Sequence, residues 1–274
     1  MSEPARLLRL CLIGNSHLVS MQEALADWPD RWPMACTFVP FRGDGVLGIE
    51  VTGGVLRPTA PRSRMQMRKY AKMEEVDLRG FDAIAIVGFS LKMQHALTLW
   101  KDARWSGLPS LEDVEDIASM TPILISRAAA EAGLSGYLQG LTGFDLAARI
   151  AAEVDARVLL IGQPRLHANA RTEVIGRHFA MPRAIAMGDG PAISALFEAA
   201  AERAAARCGA RVLHQPGETV EQDILTAPDY MAGQIEVTRD GKRVTRDDVK
   251  HPNARYAALM LDALAGAMIS GAAP

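Results

Sequence analysis

Residues 7–17 decide the fold of this chain, and they read Leu7-Leu8-Arg9-Leu10-Cys11-Leu12-Ile13-Gly14-Asn15-Ser16-His17. The apolar run over Leu7–Ile13 is short and almost uninterrupted, which is typical of a strand that is buried on both faces of a sheet. Because it contains Arg9 and lacks a small-residue cleavage site, we interpret it as a strand and not as a signal peptide. A helix is predicted to follow over Leu18–Trp28, so the polar turn that contains Ser16 lies at a strand end.

The alternation of apolar strands with Ala-rich helices continues along the rest of the 274 residues. Further strands are predicted over Met34–Phe41, Asp82–Gly88, Arg157–Gly162 and Arg211–His214. Helices are predicted around Leu111–Ala118, Phe144–Val154 and Ala192–Cys208, with a closing helix over Asn253–Met268. Such an alternation predicts an α/β fold with a parallel sheet that helices cover on both faces. In this kind of sheet ligands bind outside the carboxyl ends of the strands, where Ser16 is expected to lie.

Two segments interrupt the alternation, at about 43–75 and 216–246. We interpret them as insertions in a single domain that spans residues 1–274. The first contains a predicted hairpin over Ile49–Leu56 and then a basic stretch, which consists of Arg57, Arg62, Arg64, Arg68, Lys69 and Lys72. This stretch is either a solvated surface, or a lid or patch that attracts an acidic substrate. The second contains a predicted hairpin over Ile235–Val244 with its turn at Asp240-Gly241, which either braces the segment after it or supports a homo-oligomer.

Composition argues against several classes of protein. Lys and Arg number 30 against 32 Asp and Glu, and the resulting net charge of −2 gives no reason to expect nucleic acid or a membrane as a partner. The cysteines, Cys11, Cys36 and Cys208, have neither the even count of a disulfide framework nor the spacing of a zinc site. No uncharged run reaches the roughly 20 residues that a membrane span needs. We therefore expect a soluble, cytoplasmic protein.

The residues that are candidates for catalysis lie near opposite ends of the chain. A serine nucleophile needs a base that accepts its proton, and that base needs a carboxylate that orients it. Ser16 follows the first predicted strand, and Asp248-Val249-Lys250-His251 precedes the closing helix. On a turn or a first helical coil, the Asp-x-x-His spacing lets the carboxylate reach the imidazole; Asp247 is a rival for this role. The alternatives are that Ser16 only caps the following helix and that His251 is a surface residue.

Two blocks of the sequence resemble those of the SGNH (GDSL-type) hydrolase superfamily, namely Gly14-Asn15-Ser16-His17 and Asp248-Val249-Lys250-His251-Pro252-Asn253. The resemblance implies a flavodoxin-like three-layer α/β/α sandwich with a five-stranded parallel sheet. It also implies that Ser16 is the nucleophile, His251 the general base and acid, and Asp248 the orienting carboxylate. The implied activity is that of an esterase on a small or carbohydrate-linked acyl ester, with neither a metal nor a cofactor. An O-acyltransferase is an alternative.

The resemblance further implies an oxyanion hole formed by the backbone N–H groups of Ser16 and Gly88. The family normally adds an Asn side chain from a Gly-x-Asn-Asp block. Here the fourth strand ends in Gly162-Gln163-Pro164-Arg165, and Pro164 stands in the Asn column. Because proline has no donor, the neighbouring Gln163 is the expected substitute. Loss of one such donor costs on the order of 100-fold to 1000-fold in turnover, so a non-catalytic or weakly active binding protein is the competing hypothesis.

Asn15 and His17 flank the predicted nucleophile, and we assign both to substrate binding. Asn15 stands where the family has Asp; it keeps an acceptor and gains a donor, so it can still brace the loop. For His17, local packing is the alternative.

Overall fold

The structure, a computed structural model, describes residues 7–89, 91–112, 122–172, 180–237 and 243–270, and of 171–172, 233–237, 243–249 and 270 it describes the backbone only. The strands, in chain order, are β1 (Leu8–Gly14), β2 (Met34–Pro40), β3 (Ile49–Thr52), β4 (Val55–Pro58), β5 (Val76–Asp77), β6 (Ala83–Val87), β7 (Ala103–Trp105), β8 (Ile123–Ile125), β9 (Arg157–Ile161), β10 (Leu166–His167), β11 (Ala210–Leu213), β12 (Val220–Glu221), β13 (Leu225–Thr226), β14 (Met231–Val237) and β15 (Arg243–Pro252). The α-helices are α1 (Leu18–Asp27), α2 (Pro61–Gln66), α3 (Gln94–Asp102), α4 (Arg127–Gln139), α5 (Thr142–Ala151), α6 (Ala180–Ala186), α7 (Gly190–Arg207) and α8 (Ala254–Ser270).

A five-stranded parallel sheet in the order β11-β9-β6-β1-β2 forms the centre of the fold. Its members are the five strands that the apolar runs predict, with ends that agree to within one residue. The last residue of β1, Gly14, pairs with Pro40 of β2 on one side and with Val87 of β6 on the other. The chain therefore extends the sheet in both directions from β1, and the gap between β1 and β6 is its topological switch point.

Helices cover both faces of this sheet. Alternate residues of β1 point to opposite faces, and Leu10 and Leu12 lie in one core cluster with side chains from α1 and α8. Cys11 and Ile13 lie in the other cluster, with side chains from α3, α4, α5 and α7. All four are at most 1% exposed, and full burial of a Leu or Ile side chain stabilises a fold by about 1.5–3 kcal/mol. The predicted α/β architecture is thus confirmed, in a form compatible with a three-layer sandwich.

The helices that the sequence predicts are only part of those in the structure. Those over Leu18–Trp28, Phe144–Val154, Ala192–Cys208 and Asn253–Met268 correspond to α1, α5, α7 and α8. Most of the helix predicted around Leu111–Ala118 lies outside the described residues. The sequence pattern did not predict α2, α3, α4 or α6. In α4, Gly133 and Gly136 lower the helix propensity, so packing against α7 compensates for a weak local signal.

The hairpin predicted over Ile49–Leu56 is confirmed, since β3 and β4 pair antiparallel through a turn at Gly53 and Gly54. Both glycines have positive φ, 59° and 72°, which is the conformation that a two-residue hairpin turn requires. In the basic stretch that follows, neighbouring carboxylates pair with several of the cations: Arg57 with Glu75, Arg62 with Asp44, and Arg68 with Glu74. These pairs offset part of the positive charge, which favours the solvated-surface interpretation over an acidic-substrate patch.

The hairpin predicted over Ile235–Val244 is also present as strands, because β14 and β15 pair antiparallel with Ile235 opposite Thr245. Its predicted turn at Asp240-Gly241 lies outside the described residues. In the described ranges, no helix combines the length and the apolar character needed to cross a membrane.

Candidate active site

Ser16 lies in the turn between β1 and α1, directly above the switch point of the sheet. Its Oγ lies 2.9 Å from Nε2 of His251, a residue that follows 235 positions later. Ser16 is exposed and His251 is half-buried, so the pair is accessible from solvent. A hydroxyl hydrogen-bonded to an imidazole nitrogen is the contact that a nucleophilic serine requires. His251, although partly exposed before α8, therefore has a specific partner in Ser16.

The turn that presents Ser16 is held by its neighbours and not by the Ser16 hydroxyl. Asn15 Oδ1 accepts a hydrogen bond of 3.1 Å from the His17 N–H. The backbone carbonyls of Asn15 and Ser16 accept from the N–H groups of Leu18 and Val19, at 3.1 and 3.2 Å, and so begin α1. The capping alternative for Ser16 is wrong, because its hydroxyl contacts His251. Asn15 is the residue that braces the loop.

Two glycines allow this turn to approach β6 closely. A Cβ atom on Gly14 would lie 2.8 Å from Leu18 Cγ and 2.9 Å from Val87 Cβ. A Cβ atom on Gly88 would lie 2.5 Å from Asn15 Oδ1 and 2.8 Å from His17 Cδ2. Gly88 also has a φ of +84°, which L side chains rarely adopt. The side chains beside Ser16 therefore pack directly on the Gly88 backbone.

His17 is buried, 7% exposed, and its ring packs beside that of His251. The two ring centroids lie 5.2 Å apart and the ring planes are tilted by 36°. Because the other side of His17 contacts Gly88, this imidazole occupies the space between β6 and His251. Packing of this kind is the second of the two roles predicted for His17, and it restricts where the His251 ring can move.

The Asp-x-x-His block lies in a strand, so the expectation of a turn or a helical coil was wrong. In the β14–β15 ladder Met231 pairs with Pro252 and Gly233 with Asp247. Residues 248–251 therefore bulge from the ladder opposite the single residue Ala232. Bulges re-aim side chains and are common next to active sites. The side chains of Asp247 and Asp248 lie outside the described part of the chain, and their roles stay predictions.

Asn253 anchors the end of β15 and so positions the segment that carries His251. This role was not predicted from the sequence. Its Nδ2 donates to the carbonyls of Asp229 and Met231, at 2.8 and 3.2 Å. Its Oδ1 accepts from the Tyr256 N–H at 3.1 Å, as an N-cap residue does. An Asn immediately before an apolar helical pattern was the available signal. These bonds fix the backbone two residues after His251.

The predicted oxyanion donors other than Ser16 make hydrogen bonds within the fold. The Gly88 N–H donates to the Ile161 carbonyl at 2.8 Å. Gln163 Nε2 donates to the Gly88 carbonyl, also at 2.8 Å, so Gln163 lies next to Gly88. The Ser16 N–H, by contrast, has no acceptor among the described residues.

An open pocket of about 300 Å³ adjoins the Ser16 turn. Its walls come from the carboxyl ends of four sheet strands and from the start of α5. The lining residues are Asn15, Gly43, Asp44, Val46, Leu47, Phe89, Thr142 and Gln163. Of these, sequence reasoning singled out only Asn15 and Gln163, because the others become neighbours only through the order of the strands. The pocket has the size of a site for a small ligand.

Three of the remaining histidines have structural partners away from this site. His214 lies 2.8 Å from Glu202, His167 Nδ1 accepts from the Asn169 N–H, and His95 packs against Tyr137. Burial raises the pKa of the Cys11 thiol to about 12 and that of Cys36 to about 11, so neither is a reactive thiolate near neutral pH. Within the described ranges, no three His, Cys, Asp or Glu side chains cluster as metal ligands do.

Comparisons of the chain with family models, with curated proteins and with solved structures found no match. A fold of this kind supports many unrelated functions, so function has to be argued from the site. The Ser16–His251 pair, the adjoining pocket and the unbonded Ser16 N–H are the features from which it can be argued.

Proposed function

We propose that this protein is a serine-dependent ester hydrolase of the SGNH type that acts on a small or carbohydrate-linked acyl ester. The observation that carries the proposal is the distance of 2.9 Å between Ser16 Oγ and His251 Nε2. Asp248 is the proposed orienting carboxylate. A small-molecule ester is the proposed partner, and no step needs a metal or a cofactor.

In the proposed reaction His251 Nε2 takes the hydroxyl proton as Ser16 Oγ attacks the ester carbonyl carbon. A C–O bond forms, and the carbonyl π electrons move to the oxygen, which becomes an oxyanion. The intermediate then expels the alcohol, which receives the proton from His251, and an acyl group remains on Ser16. Water repeats the sequence with the same base and releases the acid. Attack by a second alcohol in place of water would give acyl transfer.

The position of the pair in the sheet supports this proposal. The strand order, counted along the chain, is 2-1-3-4-5, the order of flavodoxin-like folds, which bind their ligands at the gap between the first and third strands. Ser16 follows the first of those strands and Gly88 the third. The site is thus where a fold of this type offers a rim accessible to a ligand.

The adjoining pocket supports a small substrate with hydroxyl groups. Its volume of about 300 Å³ is at the lower end of the range for ligand pockets. Asn15 and Gln163 provide amides, Thr142 a hydroxyl and Asp44 a carboxylate, whereas Phe89 contributes an apolar wall. Hydroxyl groups match such a lining because they both donate and accept.

A non-catalytic binding protein is the second candidate. It is favoured by one observation, the internal hydrogen bonds of Gly88 and Gln163, which occupy groups expected to stabilise the oxyanion. Such a protein would bind a ligand in the pocket, and its Ser16 would not react as a nucleophile.

Labelling with a fluorophosphonate probe separates the two candidates. We expect the wild-type chain to gain the mass of one phosphonyl adduct and to hydrolyse p-nitrophenyl acetate, and we expect Ser16→Ala to do neither. Ser20→Ala is the matched control, since the Ser20 hydroxyl donates to the His17 carbonyl one turn away; it should label like the wild type. No adduct on the wild type, under conditions that label an esterase, would overturn the hydrolase proposal.

A further inference from the structure

The peptide that joins Gly88 to Phe89 follows β6, and Ser16 follows the neighbouring strand β1. The two lie side by side, at the same distance beyond the ends of their strands. Gly14 is the last residue of β1 that pairs with β6, and its partner is Val87. Ser16 and Phe89 each stand two residues beyond this pair. Neighbouring strands lie about 4.8 Å apart, and the two chains are still joined one residue later by the bond from the Asn15 N–H to the Val87 carbonyl.

The polar groups of Gly88 point away from Ser16. The Gly88 N–H donates to the carbonyl of Ile161, which belongs to β9. The Gly88 carbonyl accepts from Gln163 Nε2, and Gln163 follows β9. Because β9 and β1 flank β6 on opposite sides, both groups face the neighbour that does not carry the nucleophile. The Gly88 N–H is therefore engaged on the side away from Ser16.

The planarity of the peptide bond then determines where the Phe89 N–H points. In a trans peptide the N–H of one residue is antiparallel to the carbonyl of the residue before it. The Gly88 carbonyl points to Gln163, so the Phe89 N–H points the opposite way, toward the β1 side and the Ser16 turn. In the part of the chain that is described, neither this N–H nor that of Ser16 has an acceptor.

We propose that the Phe89 N–H is the second oxyanion donor, beside the Ser16 N–H. This inference rests on the proposed hydrolase function. Gln163 is then a positioning residue that holds the Gly88–Phe89 peptide in the required orientation and does not itself contact the oxyanion. The Phe89 side chain is 7% exposed. A Cβ atom on Gly143, at the start of α5, would lie 2.8 Å from the Phe89 carbonyl, so α5 packs against the backbone directly after this peptide. Donors held in this way stabilise a developing charge without reorganisation.

A donor at Phe89 explains why Gln163 and Pro164 can follow β9 in place of the usual Asn. Pro164 cannot donate to an oxyanion, and the amide of Gln163 is engaged with the Gly88 carbonyl. A backbone donor replaces the missing side-chain donor, and the longer amide arm of Gln163 is what fixes it.

Replacement of Phe89 by phenyllactic acid tests the donor directly, because it changes the amide to an ester that lacks the N–H and keeps the side chain, although it also weakens the Gly88 carbonyl as an acceptor. We expect kcat for p-nitrophenyl acetate to fall on the order of 100-fold, with little change in KM. The same replacement at Phe81 is the control. Its N–H donates to the Leu78 carbonyl before β6, at the end of the strands opposite to Ser16, and kcat should be unchanged.

Gln163→Met tests the positioning role, since Met has a similar length and no amide. Alone it should lower kcat with KM unchanged. Combined with the Phe89 ester it should cause no further loss, because Gln163 acts through the N–H that the ester lacks. Additive losses would instead mean that Gln163 donates to the oxyanion itself, which contradicts its proposed role.

The Ser16→Ala variant distinguishes this inference from the proposed function. If wild-type hydrolysis requires Ser16 and the Phe89 ester keeps full kcat, the oxyanion assignment is wrong and the hydrolase proposal stands. If the wild type neither hydrolyses esters nor labels with the probe, both are wrong.

Discussion

Ser16 Oγ and His251 Nε2 lie within hydrogen-bond distance, at 2.9 Å, although 235 positions separate the two residues. Ser16 is presented by the turn after β1, and His251 by a bulged segment at the end of β15. The bonds of Asn15 and Asn253 fix the backbone on the two sides. Two separately anchored segments thus hold the hydroxyl and the imidazole together, which is the arrangement required for general-base activation of a serine.

Removal of the imidazole should abolish turnover while the fold persists. We expect His251→Ala to lower kcat by about 1000-fold or more, because Ser16 then has no base. Added imidazole should restore part of the activity by diffusing into the vacated space. His214→Ala is the control, since His214 pairs with Glu202 on α7. Equal activity of His251→Ala and wild type would remove His251 from the mechanism.

Gly88→Ala should damage both stability and activity. Its Cβ would lie 2.5 Å from Asn15 Oδ1 and would displace the side chains beside Ser16. Gly107→Ala is a matched control, because Gly107 also has positive φ, +90°, and a Cβ there meets nothing within 4 Å. Both variants should lose about 1 kcal/mol to backbone strain. Gly88→Ala should lose about 1–3 kcal/mol more.

Urea unfolding and kcat measurements on these two glycine variants check the expectation. Only Gly88→Ala should lose activity. If the two variants lose equal stability and remain equally active, the Gly88 backbone does not need the close packing described above.

Asp189 is a structural carboxylate, and its removal should affect stability without affecting the chemistry. It is fully buried and accepts from Trp100 Nε1 at 2.7 Å and from the N–H and hydroxyl of Ser110 at 2.9 and 2.6 Å. Asp189→Ala leaves these donors without an acceptor, which should cost about 3 kcal/mol in the free energy of unfolding. Asp145→Ala, which removes a surface pair with Arg149, should cost less than about 1 kcal/mol. A selective loss of kcat in Asp189→Ala at full stability would contradict this assignment.

The buried thiols should make the protein less stable at alkaline pH. Burial raises the pKa of Cys11 to about 12 and that of Cys36 to about 11, from an ordinary value of 9.0. Between these values the unfolded chain releases thiol protons that the folded chain retains, so stability is complete below about pH 9 and falls as the pH rises toward 11. At about pH 10.5 the loss should be on the order of 2 kcal/mol for each thiol.

Urea unfolding of the wild type and of a Cys11→Ala/Cys36→Ala double variant, between about pH 7 and 10.5, measures this loss. The variant should be less stable at neutral pH, since each substitution leaves a small cavity, and its stability should fall less steeply above pH 9. Burial also raises the pKa of Tyr256, but this residue is present in both proteins, so the difference reports the thiols. Parallel pH profiles would contradict the assignment.

The sequence by itself determined the members of the central sheet. A strand buried on both faces must be a continuous apolar run, and the five runs, from Leu7–Ile13 to Arg211–His214, became the five strands. The stretch Ile49–Leu56 likewise predicted the β3–β4 hairpin, whose turn lies at Gly53-Gly54. Ser16 and His251 were singled out by the position of Ser16 after the first strand, by the Asp-x-x-His spacing and by the resemblance of the two blocks to a known family, and the structure brings the two side chains together.

Only the tertiary structure decided how these parts meet. The order of the strands is a non-local property, and it placed Phe89, Thr142 and Asp44 around one pocket with Asn15. The bulge over residues 248–251 arises from an irregular pairing with β14 that no local pattern encodes. The bond from Gln163 to the Gly88 carbonyl joins segments 75 positions apart, so a residue expected to contact the oxyanion is seen to hold a peptide, because backbone orientation is set by neighbouring strands.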